Sequence, residues 1–215
     1  MSLKKAYILV FLVLIIDQVS KIYIKTHFYL GESVKVLGWE WFQIHFIENE
    51  GMAWGAVIPG DYGKLALTVF RIIAVFGIGW WLWDSVKKKA SNYLVVAIAL
   101  ILAGAVGNII DSVFYGVIFN DSYHQVATLF SEDPYGKWFY GEVVDMFYFP
   151  IWEGNLPEWL PIWGGKYFTF FNAIFNVADV AISVGVGILI VFNKRAFGGS
   201  KEEKTLAATA GIEEK

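Results

Sequence analysis

Apolar positions in this chain come in long unbroken runs, separated by segments rich in acids, aromatics and turn formers. Four runs, at about 6–24, 65–83, 92–115 and 170–192, meet the roughly 17–25 residues a helix needs to cross a bilayer. A lone strand in lipid would leave its backbone groups without partners, so each run predicts a spanning helix. The first run follows Lys4 and Lys5 in the manner of a signal peptide. It lacks a small-residue cleavage site and carries Asp17, Ser20 and Lys21 where the apolar stretch should end, so it is expected to stay as a helix. The fold class this predicts is an all-α polytopic membrane protein with one embedded domain over 1–197 and a disordered cytoplasmic tail over 198–215.

Charge in the flanks orients the spans. Lys4 and Lys5, Lys87 to Lys89, and Lys194 with Arg195 border the ends expected on the cytoplasmic side. Outer loops are then expected at about 25–64 and 116–169, and both are acid-rich: Glu32, Glu40, Glu48, Glu50 and Asp61 in one, Asp121, Glu132, Asp133, Glu142 and Asp145 in the other. Both termini are accordingly cytoplasmic. Trp80, Trp81 and Trp83 fit an aromatic belt at the inner surface, and Trp152, Trp159 and Trp163 one at the outer. Within the first loop, Val34-Lys35-Val36 and the run from Trp41 to Phe46 read as a small extracytoplasmic β-sheet platform against the headgroups. Pro150, Pro157, Pro161 and Gly164-Gly165 cut the long second loop into short pieces.

Composition agrees and narrows the chemistry. Of the 215 residues, 57% are hydrophobic and 17% charged, with a mean hydropathy of +0.52. Net charge is −3 without a basic stripe, which argues against nucleic acid as a partner. The absence of cysteine excludes disulfides and a thiolate nucleophile, and His27, His45 and His124 lack metal-ligand spacing.

The polar residues inside the runs carry the remaining information. At about 1.5 Å rise per residue, Asp17 and Lys21, Asn108 and Asp111, and Asn176 and Asp179 all fall in the outer halves of their helices. Each pair is spaced i,i+3 or i,i+4 and so shares a helix face. A polar pocket opening outward satisfies all six. Structural hydrogen bonding between helices is the plainer reading, with Asp17 and Lys21 as a structural polar pair. Asp145, flanked on both sides by apolar residues in the segment from Gly141 to Phe149, reads as part of a stretch dipping into the outer interface. Two aspartates brought together in low dielectric share a proton, so that one activates water while the other polarises a carbonyl. Ser20 beside Lys21 makes a weak dyad, since adjacent helical residues do not face each other. A proton-coupled transporter or channel would use the same carboxylates as stations. It would, however, need polar residues on the cytoplasmic side, where 92–102 and 180–190 are almost wholly apolar. A non-enzymatic assembly protein is a third reading.

The motifs resemble those of the lipoprotein signal peptidases, or signal peptidase II. Asp17-Gln18-Val19-Ser20-Lys21 resembles the first-helix element, Asn49-Glu50-Gly51-Met52-Ala53-Trp54-Gly55 the segment after the outer sheet, and Gly104 to Asp111 the glycine-rich third helix. Val143-Val144-Asp145-Met146-Phe147 and Phe175-Asn176-Val177-Ala178-Asp179 resemble the last two elements. The resemblance implies Asp145 and Asp179 as catalytic residues, with Asn49, Gly51, Asn108, Asp111 and Asn176 supporting the pocket and binding substrate. It implies, too, a bacterial inner-membrane peptidase facing outward that needs no metal or cofactor. Its implied partners are diacylglyceryl-modified prolipoproteins, cut before the lipidated cysteine, membrane phospholipid, and globomycin-type inhibitors. Two departures stand out. Ser112 occupies the place of an arginine in the family pattern, and the stretch 121–137 is extra length, expected to form a lid or rim over the outer mouth.

Overall fold

The computed structural model describes residues 1–49 and 62–198. Gly51, with most of its motif, and the tail from 199 onward lie outside the described residues. The helices are α1 (Leu3–His27), α2 (Gly63–Lys87), α3 (Asn92–Ile110), a single turn α4 (Gly116–Ile118), α5 (Val177–Val191) and α6 (Asn193–Phe197). The strands are β1 (Ser33–Lys35), β2 (Gln43–Asn49), β3 (Val143–Tyr148), β4 (Trp152–Asn155), β5 (Tyr167–Phe170) and β6 (Ile174–Phe175).

Three helices, α1, α2 and the stretch Asn92–Ile118 that begins with α3, are long and apolar enough to cross a membrane. The protein is therefore a multi-pass helical membrane protein with a small β-sheet. The fourth expected run is corrected at its start. Residues 170–176 are not helical: they hold the end of β5 and all of β6, and α5 begins only at Val177. Phenylalanine and isoleucine in this segment have strand propensity, and pairing with β3 and β4 satisfies the backbone that a helix would otherwise have satisfied. At 15 residues, α5 is apolar but shorter than the other three.

The chain divides into two compact units. The first holds Met1–Gln18, Leu67–Ile109 and Val177 onward. Its core joins Ala6 and Val10 of α1, Leu82 of α2, and Leu94, Val95, Ile98, Ala99, Leu102 and Ala103 of α3. Large apolar side chains on the opposite faces, such as Phe11, Ile16, Phe70 and Phe76, are exposed. This is the distribution expected of helices that face lipid outward and each other inward. Where α3 meets α5 the helices approach at small residues. A Cβ on Gly104 would lie 2.2 Å from the Ala178 carbonyl oxygen, and one on Gly107 would lie 2.6 Å from a carboxylate oxygen of Asp17.

The second unit holds Val19–Ala66 and Ile110–Asn176. Its four-stranded antiparallel sheet has the order β1-β2-β3-β6. The platform expected in the first loop thus draws its other two strands from sequence near Asp145 and Asn176, and the stretch around Asp145 is an inner strand. Between Ile44↔Phe147 and Ile47↔Asp145 the β2–β3 register shifts by one residue, a bulge set beside Asp145. Phe46, Val144 and Met146 pack with Ile24, Tyr115, Phe119 and Ala127 into this unit's core. Outside it, Phe42 and Phe149 stack with ring centroids 4.6 Å apart, and Trp41 lies 5.0 Å from Trp39.

The extra stretch 121–137 is bound into the second unit. Lys25, fully buried, pairs with Glu48, donates to Ser122 Oγ at 2.8 Å, and lies over the rings of Tyr135 and Phe119 at 4.9 and 5.2 Å. The Tyr135 hydroxyl in turn accepts the Glu142 backbone N–H at 2.7 Å. Burial raises the Tyr135 phenol far above its ordinary range, so its hydroxyl stays protonated in this network.

Candidate active site

In the second unit the sheet brings two amide side chains onto Asp145, which is only 3% exposed. Asn49 ends β2 opposite Val143, two residues along β3 from Asp145 and so on the same face. Its Nδ2 donates to Asp145 Oδ2. From the other side Asn176, immediately after β6, donates to Asp145 Oδ1 at 2.6 Å and to the Val144 carbonyl at 3.3 Å. Both carboxylate oxygens are therefore held by amide donors at the ends of neighbouring strands, a placement rigid enough to fix the carboxylate's direction.

Asp111 lies one step behind this arrangement. It opens the π-helical turn Asp111–Tyr115 that follows α3, a local widening that proteins place at functional positions. Its Oδ2 accepts from Lys21 Nζ at 2.8 Å and from the Val144 N–H at 3.3 Å, next to Asp145 in sequence. Ser112, in the same turn, is buried, and its carbonyl accepts the Gly141 N–H at 2.9 Å just before β3 begins.

The first unit organises Asp179. This residue lies in the first turn of α5, where the helix dipole favours a negative charge. Asn108 Nδ2 donates to its Oδ1 at 2.9 Å. Asp17, fully buried on α1, accepts the Ala178 N–H at 2.9 Å and so satisfies one of the backbone donors at the start of α5. Gln18 Nε2 bridges Asp17 and the Gly107 carbonyl at 3.1 and 3.2 Å. Asp179 itself is half-buried.

Of the expected site residues, Asn49, Asn176, Asp111 and Lys21 thus gather around Asp145 within the second unit. Asp17 and Asn108 gather around α5 and Asp179 within the first. Sequence reading overlooked Gln18 as a separate participant, and it overlooked Arg71. The signal for Arg71 was present: an arginine inside an apolar span is costly and marks function.

Comparison with known proteins decides what this arrangement belongs to. The family described as signal peptidase (SPase) II matches residues 9–194. The chain belongs to the signal peptidase II family. It is 49% identical over 185 residues to a lipoprotein signal peptidase of Porphyromonas gingivalis, covering 85% of this chain and 80% of that one. A lipoprotein signal peptidase of Amoebophilus asiaticus is 41% identical over 198 residues, covering 89% and 78%. A solved bacterial membrane enzyme superposes with a TM-score of 0.59 at 26% identity, covering 93% of each chain.

Proposed function

We propose that this protein is an aspartic endopeptidase of the bacterial cytoplasmic membrane. It removes the signal peptide from prolipoproteins whose lipobox cysteine carries diacylglycerol, and cuts immediately before that cysteine. The observation that carries this reading is the pair of individually oriented aspartates in a family of signal peptidases: Asp145, with both oxygens held by Asn49 and Asn176, and Asp179, held by Asn108.

Two carboxyl groups meeting at one peptide bond titrate as a unit and hold a single proton between them. The ionised member takes a proton from water, and the resulting hydroxide adds to the scissile carbonyl. The protonated member gives its proton to that carbonyl oxygen. Collapse of the tetrahedral diol then breaks the C–N bond, with a proton passing to the leaving amine of the lipidated cysteine. Asparagine amides suit this work because they orient carboxylates without adding a charge that would compete for the shared proton.

In this reading α5 is the fourth crossing, both termini are cytoplasmic, and the sheet and the second loop face outward. Membrane phospholipid surrounds the substrate's acyl chains at the outer edge, and globomycin-type inhibitors occupy the same site. No cofactor is required by the chemistry. The 121–137 segment forms a lid or rim over the outer mouth.

The deciding experiment incubates purified protein in detergent with a diacylglyceryl-modified prolipoprotein and compares wild type with Asp145→Asn and Asp179→Asn. Both variants should fold and lose turnover. Near-wild-type cleavage by either folded variant overturns the assignment.

A further inference from the structure

Helix α2 contributes one group that the proposed chemistry leaves unused. Its inward positions follow a 3-4-3-4-3 spacing: Thr68, Arg71, Val75, Ile78, Leu82 and Ser85. Thr68, Leu82 and Ser85 are buried, and Val75 and Ile78 pack on the first unit's core. Phe70, Ile73 and Phe76, on the remaining faces, are exposed. Arg71 therefore stands on the stripe that faces the other helices and away from lipid. Its Nη1 is buried and has no hydrogen-bond partner among the described residues. Asp179 acts on its guanidinium through charge.

A buried donor without an acceptor costs free energy in any protein, and more so inside a membrane protein, where water does not replace the missing partner. Side chains on a helix lean toward its N-terminus. Arg71 lies about 12 Å along α2 from its first residue, so its long stem carries the guanidinium back toward the end of the helix at Gly63. A substrate presents the complementary deficit. A signal segment enters the membrane as a helix, and its peptide bonds must leave that helix to be cut. Each unwound residue then exposes a carbonyl that lipid cannot hydrogen-bond.

We propose that Arg71 is a substrate-binding residue whose guanidinium donates to a main-chain carbonyl of the unwound signal segment beside Asp179. The reading rests on Asp179 being one of the two reacting carboxylates. The guanidinium is suited to the task because it stays charged, is weakly hydrated and presents several donors in a fixed plane. By holding the peptide rather than the water, it sets substrate affinity and register more than the rate of the chemical step.

The test measures kcat and KM on a diacylglyceryl-modified prolipoprotein for wild type, Arg71→Gln, Arg71→Lys and Asp179→Asn, with thermal unfolding of each. Loss of a charged hydrogen bond predicts that Arg71→Gln raises KM about tenfold or more, with kcat little changed. Arg71→Lys, which keeps the charge and loses the fork, should raise KM by less. An unchanged KM in Arg71→Gln overturns the proposal. So does a fall in kcat at constant KM with a displaced pH profile, because Arg71 would then act only on the charge of Asp179. If Arg71→Gln does not fold, Arg71→Lys decides, and a wild-type KM there overturns the proposal. Full activity in Asp179→Asn would instead sink the aspartic reading itself, so the two failures are distinguishable.

Discussion

Lys21 Nζ lies 2.8 Å from the Asp111 carboxylate, and both side chains are fully removed from solvent. The pair joins α1 to the π-turn after α3, and Asp111 passes the constraint on through the Val144 N–H to the strand carrying Asp145. Removing one partner leaves the other charge buried, which costs about 3–5 kcal/mol. Lys21→Met should accordingly lower the unfolding temperature in detergent sharply. Lys21→Met combined with Asp111→Leu should recover much of that stability without recovering activity. A single variant as stable as wild type would contradict the buried-pair account.

Asn176 and Asn49 each supply one donor to Asp145. A hydrogen bond to a charged group contributes about 1.5–3 kcal/mol, so Asn176→Ala should lower kcat by about 10- to 100-fold. The unfolding temperature should change much less than it does for Lys21→Met. Steady-state kinetics beside a melting curve separates the two effects.

The α3–α5 contact depends on the missing side chain at position 104. A Cβ there would sit 2.2 Å from the Ala178 carbonyl and 2.7 Å from Ile182, and neither contact is relieved by rotating the new group. Gly104→Ala should force the helices apart and cost about 1–3 kcal/mol. Activity should fall as well, because Ala178 adjoins Asp179. Gly77, with nothing near its absent Cβ, is the control position, and Gly77→Ala should be neutral or slightly stabilising.

Lys25 predicts the behaviour of the extra segment. With Glu48, Ser122 and the Tyr135 ring as its partners, Lys25→Met should loosen 121–137 and raise its sensitivity to added protease while α1 persists. If cleavage within 121–137 stayed as slow as in wild type, the lysine would not be what anchors it.

His45, on β2, is pushed below its ordinary value of 6.5 by burial. In the window between that value and the lower folded one, the unfolded chain binds a proton that the folded chain does not. Stability conferred by the neutral ring is thus present above pH 6.5 and falls as pH drops through that window. Melting curves from pH 7.5 down to 5 should show a decline that His45→Gln reduces.

The local pattern of the chain carried much of this outcome. Helical spacing put Asp17, Asn108, Asp111 and Asp179 on inward faces, because a period of 3.6 residues is set by the backbone alone. The segment 170–176 before α5 is ambiguous in sequence, because Phe and Ile in an apolar run satisfy a helix and a strand equally. Only pairing with β3 and β4 settled it. Arg71 escaped for a different reason: the sequence marks it as anomalous, yet neither its inward stripe nor its buried nitrogen is visible without coordinates.

By itself the sequence determined that the protein is a multi-pass helical membrane protein, where its three long apolar helices run, and which polar residues they bury. These follow from solvation, which acts residue by residue. The tertiary structure decided the partners: Lys21 with Asp111, Asp17 with the first turn of α5, and two asparagines, one ending β2 and one just after β6, on one aspartate. Such pairings join residues from about 30 to 160 positions apart. They are set by strand register and helix contact, in which hydrogen-bond geometry and close packing have to be met together.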